Sequence, residues 1–154
     1  MIRGIHHIGI HTGNLDRLRA FYEAAFGFEA VGEEVRLEDF EVATLVVGVP
    51  DAKARILMMR TANCLIELFE WQTPKGDKLE PAKAYDRGYT HFMVDVTDID
   101  AEYERLSALG MTFVHPMPLH FGATASVYGH DPDGNLIEIG MIPESESLHL
   151  KMPA

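Results

Sequence analysis

Two histidines and two glutamates recur at matching places in the two halves of this 154-residue chain. In each half the histidine lies seven residues before a residue type that begins helices, Asn14 or Asp98, and the glutamate lies in a later apolar run. Imidazole nitrogens and carboxylate oxygens together suit divalent Fe, Mn, Co, Ni or Zn. We therefore predict one metal site, shared by the two halves and built from His7, Glu67, His91 and Glu138. The two halves could meet either within one chain or between the two chains of a dimer, since both arrangements bring two histidines and two glutamates together.

The number of ligands indicates what such a metal would do. Four protein ligands on a six-coordinate ion leave two positions open, which suits a small-molecule substrate with oxygens on neighbouring atoms. An ion used in this way is a Lewis acid that stabilises the negative charge formed when a proton is removed next to a carbonyl. A metal site of this kind therefore suits an enzyme that removes such a proton.

A structural role is the alternative for each of these residues. A single histidine in a strand is more often part of a structural hydrogen bond than a metal ligand, and a glutamate in a strand usually faces water. Glu67 and Glu138, however, each follow an isoleucine and precede a leucine or isoleucine. Because a charge on the apolar face of a strand is costly unless it is paired or bound, the repeated set favours the metal site.

Strand periodicity distinguishes between neighbouring histidines. Successive side chains of a strand point to opposite faces, so His6 and His7 cannot both reach one ion. His7 is preferred because it keeps the seven-residue spacing to the helix cap that His91 shows. His11 lies on the same face as His7, where it either lines the substrate site or is a partly buried polar residue at the strand end.

A strand followed by an amphipathic helix recurs in the two halves. Period-two runs over 5–11 and 91–96 predict the strands. The helices that follow carry an apolar stripe, and glycines end them at Gly27 and Gly110.

Three further strands complete the second half, at 111–116, 123–130 and 135–141, with a turn at 131–134 before the last. The first half should repeat this β-α-β-β-β order and end in a hairpin of 54–60 and 64–71.

The first half is the longer of the two. His7 and Glu67 are 60 positions apart, whereas His91 and Glu138 are 47 apart, so thirteen residues are inserted. We place them in 37–52 as a short helix ended by glycine and proline, with a valine-rich strand as the alternative.

Composition limits the classes of function and the location. A net charge of −11 without a Lys/Arg cluster repels phosphate backbones, so nucleic acid is not an expected partner. The lack of an apolar export signal or an 18-residue apolar run predicts neither secretion nor a membrane partner. The only cysteine, Cys64, cannot form an internal disulfide, which fits a cytoplasmic protein.

The chain resembles the vicinal oxygen chelate superfamily, which includes glyoxalase I, methylmalonyl-CoA epimerase, extradiol dioxygenases, and fosfomycin and bleomycin resistance proteins. The resemblance covers 1–142 and rests on HIGI at 7–10, on the helix containing FY at 21–22, and on DPDGNLIEI at 131–139, the most specific motif. It implies an α+β fold in which two βαβββ modules form an incomplete barrel, a cup around the metal. The modules would be about 1–72 and about 88–142 of one domain, followed by a C-terminal tail over 143–154.

The resemblance also implies roles for the site residues. The family's four ligand places fall on His7, Glu67, His91 and Glu138. In glyoxalase I a ligating glutamate is also the base that moves the substrate proton, which implies Glu138 or Glu67 as the catalytic base here.

Two departures argue against the best-known substrates. Glyoxalase I usually holds glutathione with an arginine and an asparagine, each four residues after a ligand, where this chain has His11 and Trp71. Methylmalonyl-CoA epimerase commonly has glutamine at the position of Glu67. The changed positions argue against glutathione thioester chemistry. The ligand pattern is still most similar to those of glyoxalase I and methylmalonyl-CoA epimerase, which implies a glyoxalase- or epimerase-like isomerase or lyase.

Two other functions stay open, a ferrous extradiol-type ring-cleaving dioxygenase and a small-molecule binding or resistance protein. Bleomycin-resistance relatives bind as dimers, which implies a homodimer. The segment 117–123 is expected to be a flap over the cup. Residues expected to line the substrate site, with plain core positions as the alternative for the aromatic ones, are His11, Trp71, Phe92, His120, Phe121 and Tyr128.

Overall fold

The chain passes twice through the same order of strands and helix. The computed structural model describes residues 1–77, 80–81 and 83–152 and divides into two compact units, Met1–Lys78 and Leu79–Ala154. The first unit contains β1 (His7–His11), α1 (Leu15–Phe26), β2 (Glu29–Arg36), a short 3-10 helix (Leu37–Asp39), α2 (Glu41–Val47), β3 (Lys53–Arg60) and β4 (Leu65–Thr73). The second contains β5 (His91–Asp95), α3 (Ile99–Ala108), β6 (Thr112–Phe113), β7 (Leu119–Phe121), β8 (Thr124–His130) and β9 (Leu136–Met141). The predicted α+β order of two βαβββ modules is confirmed.

The two sheets have the same topology. In the described part of the first unit the strand order is β1-β4-β3-β2, and in the second it is β5-β9-β8-β6, with β7 also paired to β8. In both, the first strand runs parallel to the last, and the hairpin strands beside it are antiparallel. The duplication seen in the sequence therefore extends to the pairing of the strands.

The predicted helix boundaries follow from local hydrogen bonds. The Asn14 side chain accepts a hydrogen bond from the amide of Arg17, and Asp98 does the same for Ala101, so both cap-type residues begin their helices. Gly27 ends α1 in the left-handed conformation, with φ of 65°, which costs least for a residue without Cβ.

The helices α1 and α3 each cover one face of their own sheet. On α1, Leu18 and Tyr22 are fully buried, as are Met59 and Leu68 of the strands in that unit. In the second unit Leu106 of α3 is buried, as are Ile137 and Ile139 of β9. Glu67 and Glu138 alternate with the buried residues of their strands and lie on the opposite faces. Burial of the apolar faces therefore sets the register that presents each glutamate.

The inserted residues lie where the sequence predicted. The 3-10 helix and α2 fill the connection between β2 and β3, and Gly48 ends α2 with φ of 68°. The inside surface of this insert packs on Ile56, Phe69 and Trp71 of the sheet. The outside surface of α2 is apolar but exposed, and it carries Phe40, Val42, Leu45 and Val46.

The second strand predicted for the second unit, over 111–116, differs in the structure. Instead of one strand over 111–116, the edge of β8 is occupied by two short pieces, β6 and β7. Pro116 and Pro118, which cannot donate to the ladder, lie between these pieces and interrupt the strand. The segment expected to be a flap therefore supplies β7, which is hydrogen-bonded to the sheet.

The C-terminal tail was predicted over 143–154, of which 153 and 154 lie outside the described residues. In the described part, His149 contacts the carbonyl of Ile142 through Nδ1 at 2.8 Å. Across the described chain, helices with the length and apolarity needed to cross a membrane are not found.

Candidate metal centre

The first unit brings His7 and Glu67 together across two parallel strands. Gly9 is the strand partner of Glu67, and His7 lies two residues before Gly9 on the same face of β1. The Nε2 atom of His7 is 3.2 Å from Oε2 of Glu67, and the two side chains are 40% and 19% exposed. His7, rather than His6, therefore reaches the glutamate; the Nδ1 atoms of the two imidazoles are 2.9 Å apart.

The second unit repeats this geometry with His91 and Glu138. Met93 is the strand partner of Glu138, and His91 lies two residues before it. The Nε2 atom of His91 is again 3.2 Å from Oε2 of the glutamate. On the far side of the imidazole ring, Nδ1 of His91 is 2.9 Å from the hydroxyl oxygen of Thr90, a contact that orients the ring.

Each pair is spaced as two ligands of one ion are spaced. Donor atoms bound to one ion at about 2.1 Å, with an angle of roughly 90–110° between them, lie about 3.0–3.4 Å apart. Both nitrogen–oxygen separations fall in this range. Among the described residues, groups of three or more His, Cys, Asp or Glu placed around one metal position are not found. Each unit thus offers a fitting pair, and the shared four-ligand site stays a prediction.

The surroundings of the two glutamates differ. Ser126 donates a hydrogen bond from its hydroxyl to Oε1 of Glu138 at 2.5 Å, and Tyr128 is the strand partner of Glu138. In the first unit the corresponding strand partner of Glu67 is Met58. The two carboxylates are therefore related by the repeat, but Ser126 and Tyr128 lie beside the second on the neighbouring hairpin strand, where Ile56 and Met58 lie at the equivalent places in the first.

Tyr128 contacts His91 of the second His–Glu pair. Its hydroxyl lies 3.3 Å from Nε2 of His91, and the two rings meet edge to face. Burial first, and then the negative charge of Glu138 nearby, raises the pKa of the Tyr128 hydroxyl above its ordinary value. The hydroxyl therefore stays protonated at neutral pH and can donate a hydrogen bond.

A cavity of about 470 Å³ opens beside Glu138 within the second unit. Val114, Leu119 and Phe121 supply apolar walls, and Ser126, Tyr128 and His115 supply polar groups. Its volume is within the range that holds small organic ligands. The cavity therefore places an apolar space directly against the candidate ligand Glu138.

The other residues expected to line the substrate site have varied surroundings. Phe121 and Tyr128 line the cavity beside Glu138. His120 lies between Leu119 and Phe121 on the opposite face of β7, where its Nε2 is 3.1 Å from a carboxylate oxygen of Asp100.

Phe92, also expected to line the site, follows His91 on β5, so its side chain leaves the sheet on the other face.

The two expected lining residues of the first unit lie on the face of Glu67. Trp71 stacks on Phe69 with ring centroids 5.8 Å apart and packs against the insert. The ring of His11 lies against the backbone of Gly76, where an added Cβ would be 2.7 Å from Cε1 of the imidazole. The role of both residues in substrate binding stays a prediction.

Sequence reasoning did not single out Ser126, Val114 or Leu119. Ser126 is two residues before Tyr128, so period-two alternation on that strand was the signal that would have found it. Val114 and Leu119 gave no such signal, because their approach to the cavity depends on the break between β6 and β7.

Comparison with known proteins agrees with this architecture. A family model described as Glyoxalase/Bleomycin resistance protein/Dioxygenase superfamily matches residues 4–139. The crystal structure of a glyoxalase family protein from Bacillus cereus is similar, with 26% identity and a TM-score of 0.82 over 92% of this chain and 95% of that one.

Fosfomycin resistance proteins named FosX have the same fold. The protein from Listeria monocytogenes is 23% identical with a TM-score of 0.65, covering 96% of this chain and 98% of that one. Another crystal structure of the Listeria protein, a mutant, is a complex with Mn(II) and 1S,2S-dihydroxypropylphosphonic acid; it is 22% identical with a TM-score of 0.64, over 97% and 100% of the two chains. Since the family model spans nearly the whole chain, this protein belongs to the Glyoxalase/Bleomycin resistance protein/Dioxygenase superfamily.

Proposed function

We propose that this protein is a metal-dependent enzyme that binds a small substrate through two neighbouring oxygens and removes a proton next to a carbonyl, as an isomerase or a lyase. The observation that carries the proposal is the His–Glu pair, which occurs in both modules with the same strand register and the same 3.2 Å separation. Mn(II) in a similar structure supports a divalent ion.

The four residues His7, Glu67, His91 and Glu138 would hold that ion together. Two neutral imidazoles and two carboxylates balance a divalent charge and suit Fe, Mn, Co, Ni or Zn. When bound, the ion supplies Lewis-acid stabilisation of negative charge on the substrate oxygens.

The proton transfer is assigned to a carboxylate of the pairs. An oxygen of Glu138 or Glu67 would accept the proton from the substrate carbon and, in an isomerase, return it to the neighbouring carbon. On Glu138, Oε1 is already occupied by the Ser126 hydroxyl. That hydrogen bond fixes the carboxylate plane, so Oε2 is the atom left to face His91 and the site.

Exchange of a substrate proton with solvent tests this proposal. With three-carbon and four-carbon hydroxyketones or 2-oxoacids in deuterated water, the metal-loaded protein should exchange the proton next to the carbonyl, and the His7→Ala variant should not. Oxygen uptake with ring cleavage of catechols by the ferrous protein, without proton exchange, would contradict it and indicate the dioxygenase instead.

A resistance function is the second candidate. The molecule in the FosX complex has hydroxyls on adjacent carbons, which matches binding through two neighbouring oxygens. Against it, the described residues that line the cavity beside Glu138 include no lysine or arginine to receive a phosphonate. We therefore expect that expression of the chain leaves the fosfomycin susceptibility of a sensitive bacterium unchanged; a raised resistance would reverse the order of the two candidates.

We also propose that the protein is a homodimer. The surface of α2 supports this, because it exposes the apolar side chains of Val42, Leu45 and Val46. Burial of these side chains against a second copy would lower the free energy of the dimer. Sedimentation should give the mass of two 17.2 kDa chains, and a monomer at micromolar concentration would contradict the proposal.

A further inference from the structure

The side chains that line the cavity beside Glu138 are of two kinds. Ser126 and Tyr128 supply polar groups next to the Glu138 carboxylate. Val114, Leu119 and Phe121 supply apolar walls, with exposed fractions of 60%, 51% and 60%, and Leu119 is the strand partner of Ser126. Exposed apolar side chains are ordinary when scattered, but here they converge on one concave surface that continues to a candidate metal ligand.

In the first unit the inserted 3-10 helix and α2 cover part of the corresponding surface. Ser126 and Gly140 are strand partners in the second unit, and Ile56 and Phe69 occupy the equivalent places in the first. Ile56 and Phe69, together with Trp71, pack against the inserted 3-10 helix and α2. The insertion thus covers in one module part of the surface that the other leaves open.

We propose that the cavity of the second unit binds an apolar group, aromatic or branched, that is attached to the chelating oxygens of the substrate. The inference rests on the proposed function and adds a substrate class to it. The apolar walls disfavour a substrate in which the attached group is a phosphonate or a peptide. Such polar groups would lose their hydration in the cavity without a charged partner. The substrate is therefore an aryl or branched-alkyl compound with two neighbouring oxygens.

Two hydroxamates that differ only in the attached group test the inference. Benzohydroxamate and acetohydroxamate both chelate through two neighbouring oxygens, but only the first carries a phenyl ring. For the Zn(II)-loaded protein, calorimetry should show benzohydroxamate binding at least about tenfold more tightly, after correction for the affinities of free Zn(II). A corrected ratio near one would overturn the inference.

A variant pair locates the effect. Leu119→Ser should reduce the corrected ratio about threefold or more, because it removes an apolar wall at the sheet edge. Leu109→Ser, a matched change at a partly exposed leucine after α3, should leave the ratio unchanged. Equal ratios in both variants and in the wild type would overturn the assignment to this cavity.

Amide spectra of the labelled protein separate this inference from the proposed function. Phenyl-dependent shifts of the Leu119 and Phe121 amides, in both the metal-free and the Zn(II)-loaded protein, would support binding of the apolar group in this cavity. If hydroxamate binding proved independent of metal, these shifts would still support the inference, and only the proposed function would be contradicted. The inference would be overturned if the phenyl-dependent shifts occurred at Phe69 and Trp71 instead. It would also be overturned if there were no such shifts, because another module or copy would then fill the cavity.

Discussion

His91 and Glu138 approach to 3.2 Å between Nε2 and Oε2 across the parallel strands β5 and β9. His7 and Glu67 show the same separation across β1 and β4. In each unit the histidine lies two residues before the strand partner of the glutamate, so the pair follows from strand register alone. Because a one-residue slip would turn the buried apolar face of the sheet toward water, the core that stabilises each unit also fixes its pair.

The Ser126 hydroxyl should support metal binding through Glu138. Ser126→Ala removes the hydrogen bond to Oε1 and frees the carboxylate to rotate, so we expect metal affinity to fall by about tenfold. Ser107→Ala, on the exposed surface of α3, is the matched control and should leave affinity unchanged. Competition against a chromogenic chelator measures both, and identical affinities for the two variants would contradict the role given to Ser126.

A side chain at Gly129 should destabilise the fold. A Cβ there would lie 2.7 Å from Cε of Met111 and 2.8 Å from Cδ1 of Phe113, both of which pack around it. Gly129→Ala should therefore lower the free energy of unfolding by about 1–3 kcal/mol, as overpacking does. Gly13→Ala, where a Cβ would meet nothing within 4 Å, should change it by less than about 0.5 kcal/mol. Urea denaturation would compare them, and equal effects of the two changes would show that the close packing is not a constraint.

Arg55 should make stability depend on pH. Its guanidinium contacts the carboxylates of Asp16, Glu34 and Glu70 at 2.7–2.9 Å, and its hydrogen bonds lower the pKa of Glu34 and of Asp16. A carboxyl group with a lowered pKa stabilises the fold above its unfolded pKa, and this contribution is lost as pH falls through the folded value.

Replacement of Arg55 tests that direction. Arg55→Met should lower the urea midpoint at neutral pH, and its difference from the wild type should shrink as the pH falls below about 4. Arg19→Met removes an exposed pair on α1 and should have little effect at any pH. A difference for Arg55→Met that persists undiminished in acid would contradict electrostatic stabilisation by this cluster.

Much of the fold could be predicted because local signals agreed with the tertiary structure. The caps Asn14 and Asp98 begin the two helices as expected, and Gly27 ends the first in the left-handed conformation. The thirteen inserted residues were located by unequal spacing within the repeat. The exposure of Phe40 and Val46 was not predicted, because an apolar spacing does not say which side of a short helix meets the core.

The pairing within the candidate site was predictable only in part. Alternation distinguished His7 from His6, and the repeat then indicated the second pair. Leu119–Phe121 and β8 form a hairpin through a two-residue turn at 122–123, where Gly122 has a positive φ, so this pairing had a local signal that the interpretation as a flap passed over. The approach of Val114 to the cavity depends instead on the hydrogen bond from its amide to the carbonyl of Tyr128, fourteen residues away, which motif and spacing do not reveal.

Metal stoichiometry tests the central claim most directly. Dialysed wild-type protein loaded with Mn(II) or Zn(II) should retain one ion per chain by elemental analysis, and both His7→Ala and Glu138→Ala should fall to background, because each removes a ligand of the same shared ion. His120→Ala, a histidine paired with Asp100, should retain the full ion. Full retention in both ligand variants, or two ions per chain with each variant losing only one, would contradict a single site shared by the two modules.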